Sequence, residues 1–88
     1  MDNKNYIEQE IIKVFADILE VNVEVIQLSS TFDDLEIDSI LFIRLVVQCE
    51  TKYNIQFEDE MLLMSKFSDV LSFVKYIQER CYAKYGDA

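Results

Sequence analysis

The chain has 88 residues, 51% of them apolar, and its 17 acidic and 8 basic side chains give a formal charge of −9 with no histidine. That length fits one small domain, spanning residues 1–88 with a core over about 5–82, and leaves no room for a second functional unit. The acidic balance argues against binding nucleic acid or an anionic membrane, because both need basic patches, and makes basic surfaces the expected partners.

The chain has no proline and one glycine, Gly86. It therefore lacks the punctuation of many-turned β-proteins, and an all-α fold is predicted. No apolar run approaches the roughly 20 residues that span a membrane, and residues 1–5 carry no secretory apolar segment. A cytoplasmic monomer, discrete and with its own Met1, is the expectation. Cys49 and Cys81 fall on apolar helical positions without partner histidines, which predicts reduced core residues in place of a zinc site or a disulfide.

Across the first twenty residues Ile7, Ile11, Val14, Phe15, Ile18 and Leu19 recur at three- and four-residue steps, the period of a first helix. Val21, Val23, Val25 and Leu28 then alternate with polar residues, a strand-like pattern with nothing to pair with. Residues 21–38 are instead predicted as a long loop with one helical turn near 24–28, its valines and Phe32 folding back over the core. A loop this long in a small domain points to function.

Asp38 stands where a helix N-cap belongs, and a second helix is predicted over 39–53. Ile40, Ile43, Val46 or Val47, and Cys49 or Glu50 are taken as its inner stripe, with Leu41, Arg44, Gln48 and Lys52 outward or sideways. Asn54 can end it, Ile55 and Phe57 can enter the core, and 58–63 can form a short third helix with an acidic start. Ser65 is the predicted cap of a last helix to about Lys84. Phe67, Val70, Leu71, Val74, Ile77 and Cys81 keep its period, and Tyr76, Tyr82 and Tyr85 add amphipathic edges.

Ser39, at the first turn of the second helix, has a plain explanation as a helix-start residue. It also offers a hydroxyl on a rigid element beside free backbone N–H groups and a positive dipole end, which suits a phosphate ester. A serine hydrolase needs a base and an oxyanion site, yet the chain has no histidine and no glycine-rich elbow; the cysteines fail as nucleophiles for the same reason. Asp34, Glu36 and Asp38 alternate like calcium ligands. However, the turn-glycine position holds Ser39 and the twelfth holds Leu45 instead of a bidentate glutamate.

With Glu36-Ile37-Asp38-Ser39-Ile40 at its centre, the chain over about residues 5–80 resembles acyl and peptidyl carrier proteins. In these four-helix domains a 4′-phosphopantetheine arm is esterified to the serine of a Gly-x-Asp-Ser-Leu or -Ile motif. Phe32 and Leu35 before the motif support the resemblance, as do Ile43 and Val46-Val47 within the helix, Tyr53-Asn54-Ile55 after it, and the acidic Glu58-Asp59-Glu60 turn. It implies a four-helix carrier bundle of three longer helices and one short third helix, with a long loop between the first two. It also implies that Ser39 receives the arm from coenzyme A through a separate phosphopantetheinyl transferase, with Asp38 shaping the site and contacting that transferase. The arm's thiol would then hold a substrate as a thioester. An acyl or amino-acid ligase or adenylation enzyme would load it, downstream enzymes with basic docking surfaces would use it, and the carrier itself would catalyse nothing.

Two departures stand out. Glu36 replaces the motif's glycine, so a turn must form without the residue that takes positive φ freely. Leu41 and Arg44 occupy positions that are acidic in fatty-acid carriers, which resembles the peptidyl carriers of nonribosomal assembly lines. A specialised pathway, polyketide or nonribosomal-peptide in type, carrying an acyl or aminoacyl unit, is thereby implied, with Leu41, Arg44, Ile40, Glu58, Asp59 and Glu60 as partner contacts. The competing reading is an unmodified acidic helical module that docks a basic partner through the second helix.

Overall fold

The computed structural model describes residues 3–85, with side chains from Tyr6 onward; Met1 and Gly86 lie outside the described residues. It has three α-helices, α1 (Asn3–Leu19), α2 (Ser39–Tyr53) and α3 (Val70–Tyr85), and no strand among the described residues. The all-α expectation holds, with one change in detail. In place of a single short helix over 58–63, the second connection forms two one-turn 3-10 segments, Asp59–Met61 and Met64–Lys66.

All six phenylalanines lie in one cluster, and Phe73 of α3 is its hub. Its ring centroid lies 5.5 Å from that of Phe15 on α1, 6.1 Å from Phe42 on α2 and 6.0 Å from Phe32 in the first connection. Phe57 and Phe67 of the second connection approach it at 5.6 and 5.3 Å. Every segment of the fold thus contributes a ring to one centre. Ile11, Leu45, Val46, Val70, Val74 and Ile77 close around it, and among the described residues no polar or charged side chain is fully buried.

The connections are held mainly by backbone hydrogen bonds. α1 stops at Glu20, which takes a left-handed φ of 60°, and the Val21 N–H returns to the Ala16 carbonyl at 3.0 Å. A 3-10 turn, Val23–Val25, follows. Its valines are exposed, contrary to the expectation that they fold over the core; Ile26, Phe32 and Ile37 are the loop residues that do so. Alternation misled because a single turned segment has no sheet to bury one of its faces.

α3 starts later than expected. Its cap is Asp69, not Ser65: the Asp69 carboxylate accepts from the Ser72 N–H at 2.9 Å, and the Ser72 hydroxyl accepts from the Asp69 N–H at 3.2 Å. The Val70 and Leu71 N–H groups donate to the carbonyls of Ser30 and Leu28 at 2.9 and 3.0 Å. All four amides that a helix start leaves without intrahelical partners are therefore satisfied, two of them by the first connection. That loop is tied to α3 even though it lies far from it in sequence.

At the other end of α2, Asn54 adopts a left-handed φ of 53° and the Ile55 N–H reaches the Glu50 carbonyl at 3.1 Å. The Tyr85 hydroxyl donates to the Tyr53 carbonyl at 2.9 Å, Arg80 Nε donates to the Gln56 carbonyl at 3.0 Å, and the Lys84 ammonium donates to the Asn54 carbonyl. Two of these donors are cations, placed where the negative end of the α2 dipole favours them. α1 is joined to the same region by the Tyr53 hydroxyl, which donates to Glu10 Oε1 at 2.8 Å. Cys49 and Cys81 are free and buried.

Two predictions follow from this packing. Phe73→Ala removes the ring that all segments share, and should cost about 3–5 kcal/mol, a large part of the stability of a domain this size, read as a fall in the urea midpoint. Burial pushes the Cys49 thiol from its ordinary 9.0 up to about 12. Burial, and then the bond to Glu10, also raises the Tyr53 phenol above its ordinary 10.0. Both groups keep their protons longer when folded, so their contribution is complete below pH 9 and is lost as the unfolded chain ionises first. Stability should decline between pH 9 and 12, and Cys49→Ala should flatten that decline.

Candidate functional site

The segment before α2 is a single closed helical turn. The Asp34 N–H donates to Thr31 Oγ1 at 2.9 Å and the Thr31 N–H to Asp34 Oδ2 at 3.2 Å, a reciprocal cap built from Thr31-Phe-Asp-Asp34. The turn ends at Glu36, with a left-handed φ of 57°. The Glu36 N–H returns to the Asp33 carbonyl at 3.0 Å and the Ile37 N–H to the Phe32 carbonyl at 2.9 Å, the paired bonds of a Schellman stop. Phe32 and Ile37 are both buried, completing the apolar contact of that motif. The glutamate thus adopts the conformation that a glycine would take at lower cost, held there by two hydrogen bonds and a buried pair.

Asp38 follows in extended conformation, and its Oδ1 accepts from the Leu41 N–H at 2.8 Å. Such a cap stabilises a helix by about 1 kcal/mol. Ser39 is then the first residue of α2 and is exposed. Among the described residues its hydroxyl has no hydrogen-bond partner, and neither its own N–H nor that of Ile40 has a protein acceptor. The start of α3 is closed by protein groups, whereas the start of α2 is left open beside the serine. Donors and a positive dipole end surround the hydroxyl, an environment that fits a phosphodiester. No base adjoins it.

The face of α2 differs from the expected one. Phe42, Leu45, Val46 and Cys49 are its buried side, while Ile40, Ile43 and Val47 are 71%, 44% and 52% exposed. The reading of Ile40 and Ile43 as inner residues is corrected, because α2 carries apolar side chains on two sides and the larger Phe42 and Leu45 fill the space around Phe73. Leu41, expected to face outward, is half-buried against the core; Arg44 is exposed. Glu58, Asp59 and Glu60 are exposed on a turn anchored by the Glu58 N–H, which donates to the Tyr76 hydroxyl at 3.0 Å. Ile43 escaped sequence reasoning as a surface residue and the choice between Val46 and Val47 stayed open; no local signal separates them, since the equally β-branched Val46 is buried.

The bundle thus leaves the Ser39 hydroxyl exposed at the rigid start of α2. Residues 9–77 match the family model described as a phosphopantetheine attachment site. The meromycolate extension acyl carrier protein of Mycolicibacterium aurum is 35% identical over 78 residues, covering 82% of this chain and 80% of that one. The acyl carrier protein of Rickettsia bellii is 31% identical over 77 residues, covering 85% and 90%. The corresponding protein of Buchnera aphidicola is 31% identical over 77 residues, covering 86% and 95%.

The chain belongs to the acyl carrier protein family. It is a carrier and not a catalyst, its cofactor is a covalently attached 4′-phosphopantetheine, and its partners are a phosphopantetheinyl transferase and biosynthetic enzymes. When attached, that group supplies a thiol for a thioester on a long flexible arm. No helix among the described residues is long and apolar enough to cross a membrane.

The strained turn gives a local test. Glu36→Gly should raise stability by about 1 kcal/mol, seen as a higher urea midpoint at unchanged slope, because a left-handed residue bearing a Cβ is relieved. An unchanged or lower midpoint would contradict that account of the turn.

Proposed function

We propose that Ser39 is the attachment point of the arm and that the protein presents an acyl or aminoacyl thioester to enzymes of a specialised biosynthetic pathway. The observation that carries this reading is the free, exposed Ser39 hydroxyl on the first turn of α2, directly after the Asp38 cap in Asp38-Ser39-Ile40. In loading, the Ser39 oxygen attacks the pantetheine-side phosphorus of coenzyme A, adenosine 3′,5′-bisphosphate departs, and the hydroxyl proton passes to a base of the transferase. Asp38 keeps the helix start in place during this exchange, and the Ser39 and Ile40 amides offer hydrogen bonds to the phosphodiester oxygens.

Partner enzymes are proposed to contact Ile40, Leu41 and Arg44 on α2 and the Glu58, Asp59 and Glu60 turn. Ile40 and Arg44 are exposed, and half-buried Leu41 contributes an edge. The three acids suit basic docking surfaces on downstream enzymes, and an acyl or amino-acid ligase of the cytoplasm would load the thiol. Two observations favour a specialised pathway. α2 presents Arg44 and Lys52 outward, while its single acid, Glu50, accepts from the Phe57 N–H at 2.8 Å. Among the relatives are carriers named for meromycolate extension, which also favours an acyl cargo.

Incubation of the apo-protein with coenzyme A and a broad-specificity phosphopantetheinyl transferase, followed by intact mass measurement, tests the assignment. The protein should gain the mass of one phosphopantetheine, and Ser39→Ala should gain none. No gain under conditions that modify a control carrier would favour the rival, an unmodified acidic module docking a basic partner; a gain that survives Ser39→Ala would move the arm to another residue.

A further inference from the structure

α2 runs about 21 Å from Ser39 to Tyr53 at 1.5 Å per residue, and a groove of about 390 Å³ opens beyond its far end. Its lining comes from Asn54, Ile55 and Gln56 after α2 and from Arg80, Ala83 and Lys84 of α3. In a chain with 17 acidic and 8 basic residues, this lining holds two cations and no acid. We propose that the groove is a docking site for an acidic segment of a partner protein, with the segment's carboxylates seated on Arg80 and Lys84.

Both cations are held in place before any partner arrives. Arg80 Nε donates to the Gln56 carbonyl at 3.0 Å, and the Lys84 ammonium donates to the Asn54 carbonyl. Among the described residues neither makes an ion pair, the terminal guanidinium nitrogens have no acceptor, and the Asn54 and Gln56 side-chain amides are unpaired. An arginine pinned through Nε presents its remaining N–H donors in a fixed fork, the geometry that grips a carboxylate bidentately, and has little side-chain entropy left to lose. Ala83, on the same face of α3, is too short to fill the groove. Acids of the neighbouring segments are engaged elsewhere: Glu50 accepts from the Phe57 N–H at 2.8 Å and Glu10 from the Tyr53 hydroxyl at 2.8 Å. Glu79 is exposed but does not line the groove.

The rest of the molecule selects the kind of acid. Nucleic acids and anionic membranes are extended polyanions, and they would meet the field of a chain with charge −9 along with the groove. A free small anion would stay largely in water, because Asn54, Gln56, Ala83 and Lys84 are all exposed and an exposed ion pair contributes little alone. A second copy of the chain would bring its own charge of −9 against this one. A short acidic segment covers the groove with its backbone and delivers several carboxylates at once. The two ends of α2 then carry opposite signs: Asp33, Asp34, Glu36 and Asp38 precede it, and Arg80 and Lys84 lie beyond it. A partner that reads both signs fixes the orientation of the carrier, and docking at this end leaves the Ser39 end open. The site does not depend on the attachment reading.

Isotope-labelled full-length protein is titrated with a glutamate hexamer blocked at both ends and followed by NMR. The Asn54 and Gln56 amide signals and the Arg80 Nε signal should shift together, the shifts should shrink as salt is added, and a blocked glutamine hexamer should cause none. Arg80→Gln should weaken binding about tenfold, Lys84→Gln should weaken it less, and Lys13→Gln on α1 should leave it unchanged. Ala83→Glu keeps both cations and their carbonyl bonds and should abolish binding; it decides the matter if either glutamine variant of the groove fails to fold. The proposal is overturned if no groove signal moves, if shifts spread evenly over Lys13, Lys66 and Lys75, or if Ala83→Glu binds as well as the parent. It is overturned too if inorganic phosphate at the same concentration moves the same signals as far, which makes the groove a small-anion site. Movement of those signals on dilution of the free protein would give the groove to a second copy, and movement as large with Asp87→Asn alone would give it to the chain's own end; either result overturns the proposal.

Discussion

The contact of Phe73 with five other phenylalanine rings is the interaction on which the rest of this small fold depends. Three helices with two long connections would leave much of the chain poorly held, since loops pay conformational entropy without a regular backbone ladder in return. Each connection answers this by inserting aromatic rings at the centre: Phe32 from the first, Phe57 and Phe67 from the second. Such pairs contribute roughly 0.5–1.5 kcal/mol beyond the area they bury. Ordering of the loops is thereby coupled to formation of the core, and the loop before Ser39 is tied to α3 by the Ser30 and Leu28 carbonyls as well.

That coupling is what lets a turn without glycine persist next to the candidate attachment site. Glu20, Glu36 and Asn54 all take positive φ, and each stands where a helix or helical turn ends. Left-handed glutamate is unfavourable locally, by on the order of 1 kcal/mol, and persists only where surroundings over-determine it. At Glu36 they do so through two backbone bonds and the buried Phe32 and Ile37 pair. The result is a stiff entry into α2, with Asp38 set as a cap and Ser39 turned to solvent. Strain two residues before Asp38 is absorbed by the same aromatic centre that holds the helices.

Legibility of the fold followed the range of the forces involved. The bounds of α2 were readable because Asp38 and Asn54 act on their immediate neighbours, through a side-chain cap and a left-handed stop. The site motif around Ser39 was readable for the same reason, being a contiguous run. The face of α2 was not, because apolar residues at helical spacing occur on two sides and periodicity alone cannot say which side meets Phe73. The late start of α3 was hidden by competing signals: Ser65 precedes an apolar residue, Phe67, that is buried from the loop and not from the helix. The exposure of Val21, Val23 and Val25 reflects tertiary geometry, which no local pattern encodes.

An exposed apolar stripe on a small protein invites self-association, and this chain offsets that tendency with charge. A formal charge of −9 spread over 88 residues raises a repulsive field between copies, while a tethered group or a docking enzyme with basic residues meets no such barrier. Acids crowd the approach to α2 at Asp33, Asp34, Glu36 and Asp38 and return at Glu58, Asp59 and Glu60, yet the stripe between them holds none. Charge placed around an apolar strip therefore lets the field discourage a second copy while the strip itself stays exposed. A carrier must be handled by several enzymes in turn, and a surface that binds each of them weakly suits that requirement better than a deep pocket would.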